Sequence, residues 1–168
     1  MSPHSTFSIA LLALLSAAGI SGAEAQQASS CSDTVHGAFD FWIGDWEVHS
    51  PDGKLAGHDT VERVAGSCGL LESWTGAGGG TGRSLNFLDP SDGAWHQLWV
   101  GSGGLVLRLS GGLEDGSMVL RGRGNGPSRL QRITWTPLDD GRVRQLWEVS
   151  EDEGESWKTS FEGLYSKR

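Results

Sequence analysis

Phe39-Asp40-Phe41-Trp42-Ile43-Gly44-Asp45-Trp46-Glu47-Val48 is the stretch that decides how this 168-residue chain is read. Phe39, Phe41, Trp42 and Trp46 crowd into its first eight residues, and Gly44-x-Trp46 falls where a first strand should begin. A β-barrel needs such a device to shut one end. A residue without Cβ lets the backbone turn, and a large flat ring then fills the opening. Trp42, Gly44 and Trp46 are therefore expected to form a barrel floor.

The rest of the chain supplies strands for that barrel. It holds 26 glycines, and no segment carries a long 3.6-residue apolar period. Short alternating runs recur instead. Strands are predicted at 46–49, 58–64, 70–74, 83–88, 95–100, 105–110, 118–123, 130–136, 142–149 and 157–165. Between them lie turn signals such as Pro51-Asp52-Gly53, Glu114-Asp115-Gly116 and Asp139-Asp140-Gly141. About ten strands at this spacing predict an all-β, antiparallel up-and-down barrel, because closure removes exposed sheet edges.

Residues 1–25 stand apart from this pattern. Phe7 to Ile20 is an apolar run too short to span a bilayer comfortably, and Ala23-Glu24-Ala25 offers a small-x-small cleavage site. The reading is a signal peptide over 1–25, an N-terminal arm over 26–38 and a barrel over 39–168, in a secreted or periplasmic protein. An uncleaved anchor is the alternative. The full chain carries a net charge of −8, and Glu24 is the one charged side chain lost on cleavage. An acidic domain lacks the basic footprint that nucleic acid or anionic lipid requires, so neither partner is expected, nor membrane insertion after cleavage. Cys31 and Cys68 suggest one disulfide in an exported chain; a metal site would need paired Cys/His spacing that is missing.

Period-2 faces then point to an interior. Trp95, Gln97 and Trp99 share one face; Val143, Gln145, Trp147 and Val149 share another. Gln97-Leu98-Trp99 and Gln145-Leu146-Trp147 thus repeat one phrase, a Gln and a Trp pointing together. Such amides are either satisfied by backbone and by each other, or they anchor a ligand between aromatic walls. Glu72 and Trp74 also share a face. Ser84 and Asn86 oppose Leu85 and Phe87, and the pattern leaves their side undecided.

With these residues in view, the chain resembles a family of mostly uncharacterised secreted bacterial domains of lipocalin-like (calycin) type. The resemblance runs through Phe41–Trp46, Gly69-Leu70-Leu71-Glu72-Ser73-Trp74, Ser84-Leu85-Asn86 with Asp89-Pro90, Trp95–Val100 and Phe161–Tyr165. It implies a lipocalin-like barrel and no particular activity. Gly44-x-Trp46 is also similar to the lipocalin signature, in which the Trp packs beneath a basic residue from the last strand. That likeness makes Lys167 and Arg168 candidates for a cation–π contact. Ser150-x-Asp152-x-Gly154-x-x-Trp157 resembles the Asp-box hairpin of sialidase-like propellers. It occurs once, in a domain too short for several blades, and so reads as a rigid turn.

Enzymatic signatures are sparse. Gly76–Gly82 is glycine-rich but lacks the Gly-Lys-Ser/Thr of a phosphate loop, and reads as a loop at the barrel mouth. No histidine follows His96, whereas nitrobindin-like barrels of this size hold haem with a late one; no cofactor or metal is expected. Glu72 is the best acid–base candidate, unless an arginine such as Arg83 or Arg132 pairs with it. Arg121, Arg123, Arg129 and Arg132 form a basic cluster, either a solvated rim or a seat for an anionic head group.

The expectation is a binding protein for a small, largely apolar molecule. Glu72, Trp74, Asn86, Gln97, Trp99, Trp135, Gln145 and Trp147 are its candidate ligand contacts. Two rivals remain: an isomerase- or cyclase-like enzyme using Glu72 or His96 as acid or base, and a structural module of the cell envelope with a filled core.

Overall fold

The computed structural model describes residues 31–124 and 129–168. The signal-peptide reading over 1–25 and the first residues of the arm, 26–30, lie outside the described residues. Ten strands follow one another: β1 (Gly44–His49), β2 (Leu55–Val64), β3 (Gly69–Gly76), β4 (Thr81–Asp89) and β5 (Ala94–Gly101), then β6 (Val106–Glu114), β7 (Ser117–Arg123), β8 (Leu130–Pro137), β9 (Val143–Ser150) and β10 (Lys158–Lys167). Each pairs antiparallel with its neighbours in the chain. β1 closes on β10 through Trp46↔Lys167 to His49↔Leu164, so the sheet is a closed ten-stranded up-and-down barrel. All ten expected strands are present. The glycine-rich run is a tight turn over 77–80 between strand ends, Gly76 closing β3 and Gly82 lying in β4, with Gly76 N–H on Gly80 O at 2.7 Å.

Alternation along each strand sets the two faces. The exterior carries the charge, in cross-strand pairs such as Arg132–Glu148 (2.8 Å) and Arg144–Glu162 (2.7 Å). Arg121 pairs with Glu114 and Arg123 with Glu153. Three members of the basic cluster are thus paired with exterior carboxylates.

The lower end is packed solid. A short 3-10 turn, Asp40–Trp42, crosses beneath the barrel and lifts Phe39 and Trp42 into it. Phe39 stacks on Trp42 at 4.9 Å and meets Trp95 and Trp135 edge-on at 5.7 and 5.2 Å. Trp46, fully buried, donates its indole N–H to Trp42 O at 2.9 Å. Above its ring, at 4.0 Å, sits the Lys167 ammonium, which also bonds Ile43 O. Gly44 makes room for that ammonium. Its φ is +145°, and a Cβ there would stand 2.1 Å from Lys167 Nζ. Of the two candidate cations, Lys167 makes the contact; Arg168 instead donates its backbone N–H to Asp45 O at 3.1 Å.

The arm is pinned to this floor. Cys31 and Cys68 form a disulfide across 37 residues, and Arg63 pairs with Asp40. Trp95 Nε1 reaches Val35 O at 3.3 Å. The upper end carries the Asp-box hairpin. Asp152 accepts from the Ser150 and Ser156 hydroxyls (2.7 and 2.5 Å) and from Ser156 N–H (2.9 Å), which holds its carboxyl down at about 2. Trp157 packs under the turn with Arg132 4.1 Å over its ring. It is the rigid turn that the resemblance implied.

Candidate functional site

Above the packed floor the barrel is hollow. A cavity of about 260 Å³ is lined by Glu72, Trp74, Gln97, Trp99, Leu105, Leu107, Ile133, Gln145, Trp147, Ser160 and Phe161. The inward residues of β3, β5, β6, β8, β9 and β10 meet there because each strand places alternate side chains in the lumen.

Two tryptophans are kept against the wall by glycines on the next strand. A Cβ at Gly57 would lie 2.7 Å from the Trp74 ring, and one at Gly82 would lie 2.1 Å from the ring of Trp99. The rings occupy the space that side chains would otherwise take, which leaves the lumen open. Trp74 also meets Phe161 edge-on at 6.1 Å. Trp147 is fixed by its indole N–H on Gln131 Oε1 at 2.6 Å.

The bottom of the cavity is a polar belt. A chain of hydrogen bonds runs Gln97 Nε2 to Asn86 Oδ1 (2.9 Å), Asn86 Nδ2 to Ser84 Oγ (2.8 Å) and Ser84 Oγ to Glu72 Oε2 (2.5 Å). Across the lumen, Tyr165 donates its hydroxyl to Gln145 Oε1. Asp59, on the inward face of β2, is buried beside this belt without lining the cavity itself. It is 2% exposed, and neither carboxylate oxygen has a hydrogen-bond partner. Ser84 and Asn86 therefore face inward, which settles the side that the sequence pattern left open.

These groups shift one another's protonation. Burial pushes the Asp59 carboxyl up to about 7, opposed by the nearby Thr60 backbone N–H, which falls outside hydrogen-bond geometry, and by the charge of Arg83. Burial holds Glu72 well above the usual carboxylate range, and the negative charge of Asp59 adds to it. The Ser84 hydrogen bond and the charge of Arg83 oppose that rise. Tyr165 is raised as well, by burial and then by Asp59 and Glu72. Two buried acids without a buried base resist ionising together.

Six of the eight expected contact residues, Glu72, Trp74, Gln97, Trp99, Gln145 and Trp147, line the cavity. Both glutamines line it and are hydrogen-bonded, Gln97 to Asn86 and Gln145 to Tyr165 rather than to backbone or to each other. Asn86 and Trp135 stand elsewhere. Asn86 is fully buried behind Gln97 and orients it, also donating to Leu70 O at 3.3 Å. Trp135 belongs to the floor, 5.2 Å from Trp42. Sharing a face with cavity residues did not fix their depth in the barrel.

Neither arginine forms an ion pair with Glu72: Arg132 pairs with Glu148 outside, and Arg83 donates to the backbone at Gly82 O (2.7 Å). His96 is a correction. It lies on the outer face, 3.0 Å from Asp92 and stacked on Phe87, and cannot act in the cavity. With Asp89 and Asp92 it makes the one group of three metal-type donors among the described residues. Those acids already accept from Ser91 and Ala94 N–H.

Sequence reasoning missed Asp59 and Tyr165. The available signal was Gly57-x-Asp59-x-Val61, a carboxylate alternating in step with inward residues, but His58-Asp59-Thr60 reads as one polar run. The chain matches no family model and no curated protein.

Proposed function

We propose that this barrel is an exported carrier or receptor for a small, largely apolar molecule, held in the cavity above the polar belt. The observation that carries the reading is the contrast within one lumen: a close-packed aromatic floor, then an open space of about 260 Å³ with three tryptophan walls and a few polar anchors. Ligand sites have that makeup. A structural module would be filled throughout, and this interior is not. Scaled from an engineered 150 Å³ apolar cavity that takes benzene, the space suits a ligand of roughly 10–15 heavy atoms.

Export is supported by the apolar N-terminal segment and by the Cys31–Cys68 disulfide, a bond that persists in oxidising compartments. The resemblance to secreted lipocalin-like domains points the same way. An acid–base enzyme using Glu72 has one favourable observation, its raised pKa, and no substrate-positioning group beyond those that serve binding.

The test is a fluorescence and native-mass screen of the mature protein with aromatic compounds of that size. Binding should quench tryptophan emission with one-to-one stoichiometry, and Trp147→Leu should weaken it at least about tenfold, the cost of one lost wall contact. A library that leaves both the emission and the mass unchanged overturns the reading.

A further inference from the structure

The belt has a surplus of acceptors and lacks a cation. Glu72 is the carboxyl that lines the cavity, Asp59 is buried on the inward face of β2 outside that lining, and no basic side chain lines the cavity among the described residues. The nearby cations are used elsewhere. Lys167 is held at the floor by the Trp46 ring and Ile43 O. Arg63 is held below the barrel by Asp40 and Ser67 O. Arg83 lies on the outer face, bonded to backbone carbonyls.

Most donors of the belt are engaged as well, the Gln145 amide N–H excepted, and the unpartnered indole N–H groups of Trp42 and Trp135 belong to the floor. Gln97 Nε2 serves Asn86, Asn86 Nδ2 serves Ser84, the Ser84 hydroxyl serves Glu72, and the Tyr165 hydroxyl serves Gln145. Asp59 is left with both oxygens unpartnered although it is almost wholly buried. A buried carboxyl in that state is costly, and a barrel with no use for it would replace it by a methyl-bearing side chain. The walls share the same sign. Trp74, Trp99, Trp147 and Phe161 present π systems whose faces attract cations.

We propose that the ligand of this cavity is an organic amine bound as its ammonium ion, its charge taken by Glu72 with Asp59 behind it and its ring or chain lying between Trp74, Trp99 and Trp147. This rests on the reading of the cavity as a ligand site and adds the chemical class of the ligand.

Burial raises both carboxyls, so an ammonium bound beside Glu72 favours their ionised forms. Asp59 faces Glu72 from β3 and Tyr165 from β10, feels the charge of Arg83 on β4, and has apolar Trp46 and Val48 as its β1 neighbours. Glu72 faces Asp59 from β2 and Ser84 from β4. Raising the bound charge by one therefore releases protons from the carboxyl pair near neutral pH.

The experiment is calorimetry of the mature protein with tryptamine and with tryptophol, which replaces the ammonium by a hydroxyl on the same frame. Tryptamine should bind at least about tenfold more tightly. Its heat should vary with the ionisation enthalpy of the buffer, in the direction of proton release. Glu72→Gln should erase the preference for tryptamine over tryptophol. The comparison of the two compounds on the unaltered protein needs no variant to fold. Equal affinities, or tighter tryptophol, overturn the amine assignment and leave the binding reading standing. Binding of neither compound, together with a failed aromatic screen, overturns both.

Discussion

The two halves of this barrel use tryptophan in opposite ways. In the lower half, Trp42, Trp46 and Trp135 are fully buried and packed on one another and on Phe39, so the rings are the core. In the upper half, Trp74 and Trp99 lie against glycines of the adjacent strand, and Trp147 is turned aside by its bond to Gln131. There the rings are a lining. What differs is the partner across the strand: another large side chain fills the lumen, and a glycine lets the ring retreat from it. The polar belt between the halves marks the change, and it carries the acids that the floor would not tolerate.

That comparison can be broken with a pair of substitutions. Trp42→Ala should cost about 3–5 kcal/mol, the loss of a fully packed aromatic. Trp147→Ala removes a ring that already borders open space, and should cost less than half as much while abolishing most ligand binding. Urea unfolding of both variants reads the difference, and equal losses would show that the upper half is as tightly packed as the lower.

The disulfide should act on the floor alone. Replacing Cys31 and Cys68 by serine frees the arm that brings Phe39 and Trp42 under the barrel, and should cost about 3–4 kcal/mol on the chain-entropy account for a loop of this length. Binding in the cavity should survive at temperatures where the variant remains folded. A loss of binding larger than the loss of stability would mean that the two halves are coupled.

The belt should show the opposite sign. The folded-state pKa of Asp59 is raised to about 7 from an ordinary 3.8, so the folded protein holds a proton that the unfolded chain has released. Its contribution is fully present below about pH 4 and is lost as pH rises through 7. Asp59→Asn removes that loss. The variant should gain on the unaltered protein between pH 4 and pH 8 by on the order of 4 kcal/mol, with no further gain above. Thermal melts across this range check it, and a constant difference would mean that Asp59 ionises normally. If the amine assignment holds, the stabilised variant binds tryptamine less well, a case of stability given up at a site for function.

Much of this was legible in residue order. Asp52-Gly53 and Asp115-Gly116 mark turns because glycine accepts the positive φ there, +80° and +81°. Gln97 and Gln145 were legible as interior polar groups because amides alternate with tryptophans on strands whose other members are apolar. Asn86 and Trp135 were legible as inward but not as deep or shallow. Alternation reports a face, and depth depends on the stagger of one strand against the next. Asp59 was hidden for a different reason. Its strand reads as polar on both faces, and only its pairing with Trp46 on one side and Trp74 on the other turns it inward.

The sequence by itself determined a closed meander with an aromatic floor, since strand period, turn chemistry and Gly44-x-Trp46 are local and each constrains its own neighbourhood. Only the tertiary structure decided that the upper lumen stays open and that one acid lines it and a second is buried beside it without a base. A void and an unpartnered charge are properties of everything that surrounds a residue, and those surroundings are assembled from strands far apart in the chain.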